Sequence, residues 1–148
     1  MLNEKINFKE VAFRRNMSET VYNLIVGTKG NERMEIAVTE LLRYMGGNRT
    51  YKGFAMTVTA CVLLHEDLGR IRVLHNLYPL IAEKFNCNRF TVERNMRTLV
   101  RHIWDEYPDR LREIVGLELT YPPRVSEFLD YLVSYVEREF SEKVFPPK

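Results

Sequence analysis

The chain has 148 residues, 45% of them hydrophobic and 28% charged, with a formal net charge of +2. That balance excludes a disordered polar chain and supplies enough apolar side chains for one buried core. The small net charge excludes a diffuse polycation, so attraction to an anionic partner must come from how the charges are placed.

The opening MLNEKINFKE breaks its apolar residues with acidic and polar ones where a signal peptide needs a continuous apolar stretch. The later apolar runs are too short to span a bilayer, and the reading is a cytoplasmic chain with no membrane partner. Residues 1–36 read as an N-terminal extension or linker ahead of a domain at 37–148. Within the extension Ser18 can cap a short element that Gly27 ends, for which strand and helix both remain open.

From Glu32 to Met45 the apolar Met34, Val38, Leu41, Leu42 and Met45 follow helical spacing, and Gly46-Gly47 is a C-terminal stop. A second helix is predicted from about Tyr51 to Asp67, with Phe54, Ala55, Val58, Cys61, Val62 and Leu68 on one wide face ended by Gly69. That width predicts the central helix of a bundle. Leu77 to Arg101 then holds two apolar helical faces with a break between them. Trp104, Tyr107 and Pro108 are expected to close the second of these helices, and Asp109 to start a short one through Val115 that Gly116 ends, with an extended piece possible at Leu117 to Tyr121. After Pro122-Pro123, Ser126 is predicted to cap a last helix to about Glu142, with Phe128, Leu129, Leu132, Val133, Val136 and Phe140 inward. Tyr131 and Tyr135 lie off that line and are read chiefly as core, with an exposed contact surface as the alternative. The fold class is all-α, a six-helix bundle containing a helix-turn-helix at about 77–105.

The helix-turn-helix reading rests on three positions. Ala82 is small where two helices cross, Asn86 tolerates a left-handed backbone in the turn, and Val92 locks the second helix down. Ile81 and Phe85 supply the buried face of the first helix. Met96 continues the stripe that Val92 begins and Leu99 and Ile103 extend. Opposite it, at about 100° per residue, lie Phe90, Arg94, Arg97, Thr98 and Arg101. From Arg89 to Arg101 four arginines face one acid, Glu93, so this segment carries +3 and the remainder of the chain −1. Arginine's planar fork can pair both acceptors of a guanine edge or clamp a phosphate. On these features alone a solvated face and a protein contact remain open beside DNA binding.

The run LYPLIAEKFN (Leu77 to Asn86), the VER of Val92 to Arg94, Arg97 and Trp104 resembles the C-terminal DNA-binding effector domain of the stage-zero sporulation master response regulator, the sporulation initiation factor A family. VTELLRYMG (Val38 to Gly46), YKGF (Tyr51 to Phe54) and VSEFLDYLV (Val125 to Val133) are similar to its first two helices and its last. The resemblance implies a six-helix bundle whose fourth helix, here about 89–105, enters the major groove of double-stranded DNA. It also implies that Glu93, Arg94 and Arg97 touch bases or phosphates. The chain departs from the family at Thr91, where the family has arginine, and at Arg89 and Phe90, which replace small residues. A phosphorylatable receiver is an alternating strand-and-helix domain that residues 1–36 are too few to form. The chain therefore reads as an excised fragment with its linker or as a receiver-less paralogue.

The expected DNA contacts are Arg89, Phe90, Thr91, Glu93, Arg94, Arg97, Thr98 and Arg101, with Arg49, Lys52, Arg70 and Arg72 either positioning phosphates or serving solubility. A homodimer on adjacent half-sites is the expected way to lengthen the site. The alternative is a protein-interaction module for RNA polymerase, a sigma factor or another regulator, acting through Phe90 and the altered helix start. Cys61 and His65, one turn apart, could join His75, Cys87 or His102 at a metal, yet nothing has CxxC spacing and the cysteines read as reduced thiols in packing or turn positions. No nucleophile elbow, phosphate loop or paired-carboxylate motif is present, so neither catalysis nor a cofactor is expected.

Overall fold

A computed structural model describes residue 13 and residues 15–66 and 76–140, and every regular element among them is helical. Helix α1, Glu19–Gly27, resolves the open choice near Ser18: the Ser18 side chain accepts from the Val21 N–H at 3.1 Å, and Ile25 is the buried residue of the helix. Helix α2, Gly30–Tyr44, starts two residues earlier than the spacing implied and runs unbroken through residues 36 and 37. Gly47 N–H bonds Leu42 O at 2.7 Å and Gly46 N–H bonds Arg43 O at 3.0 Å, with Gly46 at φ 93°. This pair of bonds at a left-handed residue is a Schellman stop.

Helix α3 is Lys52–Glu66. Its buried residues are Gly53, Phe54, Met56, Thr57, Ala60 and Cys61, whereas Ala55 is exposed and Val58 and Val62 are half-buried. The expected face was rotated because neighbours on several sides of α3 make apolar periodicity a poor guide. Leu68 and Gly69 lie outside the described residues. Helices α4, Tyr78–Lys84, and α5, Arg89–Glu106, follow, then α6, Pro108–Val115, and α7, Val125–Phe140. Helix α3 is central, packing against α2, α4, α5 and α7.

Ser126 does not cap α7, because the helix already includes Val125. The Glu127 carboxylate instead accepts from the Arg124 N–H at 2.9 Å, satisfying the first free donor from inside the helix. The inward residues are those the spacing indicated, and Tyr135 joins them, its ring 5.9 Å from that of Phe13 in an edge-on contact. Tyr131 is half-buried, and residues beyond Phe140 lie outside the described part. Leu117 to Tyr121 forms no strand. Among the described residues helices α2 to α7 correspond to the six expected, and α1 precedes them.

Arg33 joins the N-terminal helix to that bundle. Its side chain is almost buried and meets only main-chain carbonyls: Ile25 O at 3.1 Å, Val26 O at 3.0 Å, and Phe140 O. The guanidinium thus caps the C-terminal ends of α1 and α7 together, where the helix dipoles favour a cation. Phe13, Ile25 and Met34, all ahead of residue 37, are in the core.

Gly53 sets the spacing between α3 and α5. A Cβ there would lie 2.3 Å from Asn95 O and 3.1 Å from Met96 Cα, so only a residue without a side chain lets the two backbones approach this closely. In an ordinary helix Gly→Ala gains about 1 kcal/mol. Here Gly53→Ala is expected to lower stability by about 1–3 kcal/mol, because a backbone must move. Urea denaturation checks this, and a midpoint equal to wild type or higher would contradict the close approach. In the same assay Arg33→Met is expected to cost about 1–3 kcal/mol by leaving buried carbonyls unpaired.

Candidate nucleic-acid interface

The break between α4 and α5 is built from main-chain bonds. Cys87 N–H bonds Ala82 O at 2.9 Å and Asn86 N–H bonds Glu83 O at 3.3 Å, while Asn86 sits at φ 56°, the one non-glycine positive φ among the described residues. Asparagine is a common substitute for glycine at this left-handed position. Two residues on, the Asn88 side chain accepts from Thr91 N–H at 2.9 Å and caps the new helix. A seven-residue helix thus reverses into an eighteen-residue one through a turn that satisfies its own ends.

Ile81, Ala82, Val92 and Met96 are buried at this junction, and Phe85 is half-buried against the core. Along α5 the buried stripe is Val92, Met96, Leu99, Val100 and Ile103. The opposite face holds Phe90, 70% exposed, with exposed Arg94, Arg97, Thr98 and Arg101. Arg89 is exposed too, its guanidinium 5.1 Å from the Phe90 ring centroid. Two of the expected contacts are partly occupied within the helix. Thr91 is half-buried with its N–H capped, and the Thr98 hydroxyl donates to Arg94 O at 3.0 Å.

Glu93 and Arg97 form an ion pair one turn apart. An exposed pair of this kind is worth well under about 1 kcal/mol, so another anion can displace the carboxylate. Among the described residues no carboxylate pairs with Arg94 or Arg101. Arg49 and Lys52 are exposed at the start of α3, with Arg49 5.3 Å from the Phe54 ring centroid. Arg70 and Arg72 lie outside the described residues.

A cleft of about 420 Å³ opens beside α5, between it and the segment leading into α7. Arg97, Arg101 and Arg124 line it together with Tyr78 and Glu93. No spacing or motif groups Arg124 with α5, because the two meet only through the packing of α7. The candidate metal ligands among the described residues do not come together. Cys61 is buried, which pushes its thiol pKa up. His65 Nδ1 meets Glu137 Oε2 at 2.9 Å, and His102 lies between Tyr51 OH and Gly46 O at 3.2 Å each. Cys87 is half-buried in the turn, and His75 is outside the described residues. Among the described residues no three possible metal ligands converge, and no helix is long and apolar enough to cross a membrane.

A short helix, a left-handed turn and a long helix with an arginine-rich outer face, mounted on an all-helical core, have the order of elements found in helix-turn-helix domains. The family described as Sporulation initiation factor Spo0A C terminal matches residues 38–136, two thirds of the chain, and the chain belongs to that family. It is a DNA-binding effector domain of the sporulation-regulator type, acting in the regulation of transcription.

Burial, with the nearby Glu93 adding to it and Arg97 opposing it, pushes the Tyr78 phenol up to about 12. An unfolded tyrosine titrates near about 10. The folded value is the higher, so the stabilising contribution is complete below about pH 10 and is lost as pH rises through about 12. Stability measured by urea denaturation is expected to fall across that window, and Tyr78→Phe to soften the fall. Tyr44 and Cys61, also raised by burial, supply part of the remainder. An equally steep fall in Tyr78→Phe would remove Tyr78 from this account.

Proposed function

We propose that the chain binds specific double-stranded DNA sequences by laying α5 in the major groove, with Arg94 and Arg97 reading base edges and Glu93 positioned to accept from a cytosine amino group once Arg97 turns to DNA. The observation that carries this reading is the surplus of cation on one helix face. Arg94 and Arg101 stand exposed opposite the buried stripe with no carboxylate partner among the described residues. An arginine face of this kind costs little in water and gains strongly against phosphates and guanine.

Arg49 and Lys52 are assigned to phosphates, Arg89 and Phe90 to the groove entrance, and Thr91 and Thr98 to secondary contacts within the same face. Reading is extended by a second copy on an adjacent half-site, since one helix covers few base pairs. The domain acts in the cytoplasm without catalysis or a cofactor. In the second reading the chain is a protein-contact module for RNA polymerase or a sigma factor, and the 70% exposure of Phe90 is what favours it.

Selection of bound duplexes from a random library separates the two. DNA reading predicts an enriched motif whose binding weakens steeply with salt, whereas a protein module enriches none. On the enriched duplex Arg94→Ala is expected to cost about 1–3 kcal/mol and to relax preference at one base position. Unchanged affinity and preference would remove Arg94 from the reading set.

A further inference from the structure

The two flanks of α5 differ in what they offer. With about 100° of turn per residue, Asn95 lies to one side of the buried Met96 and Arg97 to the other. On the Asn95 side α3 packs closely through Gly53, bringing its exposed Lys52 and the preceding Arg49 to that flank. On the Arg97 side there is a cleft instead, rimmed by Arg97, Arg101 and Arg124. A helix about 10–12 Å across fills a major groove about 12 Å wide, so each of its flanks must run close to a sugar-phosphate strand.

Resting on the DNA-binding reading, we infer that this cleft seats a backbone phosphate of the bound duplex, held by Arg124 with Arg101. Arg49 and Lys52 meet the strand on the opposite wall of the groove. Three observations support the assignment. The cleft is lined by three arginines, Arg97, Arg101 and Arg124, against the single carboxylate of Glu93, so cation is in surplus there whichever partner Arg97 takes, and among the described residues no carboxylate pairs with Arg101 or with the Arg124 guanidinium. The floor includes Val100, Pro122 and Pro123, apolar surface suited to the carbon face of a deoxyribose, and the 420 Å³ volume exceeds what a phosphate alone would fill. The main-chain N–H of Arg124 is fixed by Glu127, so its guanidinium projects from an anchored position.

A phosphate contact carries no sequence information and shows itself through salt. The test measures the full chain on the selected duplex and on a random one, across a range of salt concentrations. Arg124→Ala is expected to weaken both by about the same factor, on the order of 3–10-fold, and to reduce the salt slope by about one unit with the preferred motif unchanged. Arg124→Lys is expected to recover most of the slope. A single neutral methylphosphonate, moved along the strand, should weaken wild type at one position and leave Arg124→Ala unaffected there. Arg124 is exposed, and an unchanged melting curve for the alanine variant confirms its fold.

An unchanged salt slope in Arg124→Ala overturns the inference while leaving DNA binding intact, and it is also the result if the cleft instead takes an acidic protein segment. A loss confined to one base position overturns it as well. A wild-type chain with no salt-dependent duplex binding overturns the DNA reading itself, and this inference with it.

Discussion

The backbones of α3 and α5 approach so closely where Gly53 faces Asn95 and Met96 that no side chain fits between them. The consequence is positional. With no side chain at residue 53, α5 is drawn against the central helix along one flank, and its stripe from Val92 to Ile103 is pressed into the core. The cationic face is left outward as the geometric remainder of that packing. Its direction is therefore set by a rigid backbone contact beside it, which leaves the exposed arginines little freedom to change the side they face.

The turn ahead of α5 has the same character. Asn86 and Asn88 sit two residues apart and serve different ends, one adopting the left-handed backbone that closes α4 and the other capping α5 with its side chain. Both helix ends are satisfied locally, so little of the junction depends on distant contacts. What joins it to the domain is apolar: Ile81, Ala82, Val92 and Met96 beneath it, with Phe85 at the edge.

Much of this was readable from the amino acids because it is periodic or local. The spacing of Met34, Val38, Leu41 and Leu42, the stop at Gly46, and the Ala82, Asn86, Val92 series each report a short-range constraint that leaves its mark within a turn or two. The unreadable parts are contacts between residues far apart in the chain. Gly53 looks like a weak residue in the first turn of a helix until the neighbouring backbone is known. Arg33 resembles any surface charge in a polar helix start, yet it is nearly buried. Arg124 follows two prolines and belongs, by sequence, to a loop. It reaches the flank of α5 only because α7 folds back against the bundle. Ala55 is exposed for a related reason, since a helix with neighbours on several sides obeys no single apolar stripe.

The Arg33 clasp has a consequence for how the domain tolerates change. Its guanidinium grips carbonyl oxygens of Ile25, Val26 and Phe140, groups that every amino acid carries. The clasp makes no demand on the side chains at those three positions, of which Ile25 and Phe140 are constrained instead by their place in the core. Lysine, with one compact ammonium, cannot reach three acceptors spread over two helix ends as a planar fork does. The seam between the N-terminal helix and the last one is thus specified by one side chain on one side and by the main chain on the other, so the identity that closes it is carried at position 33 alone.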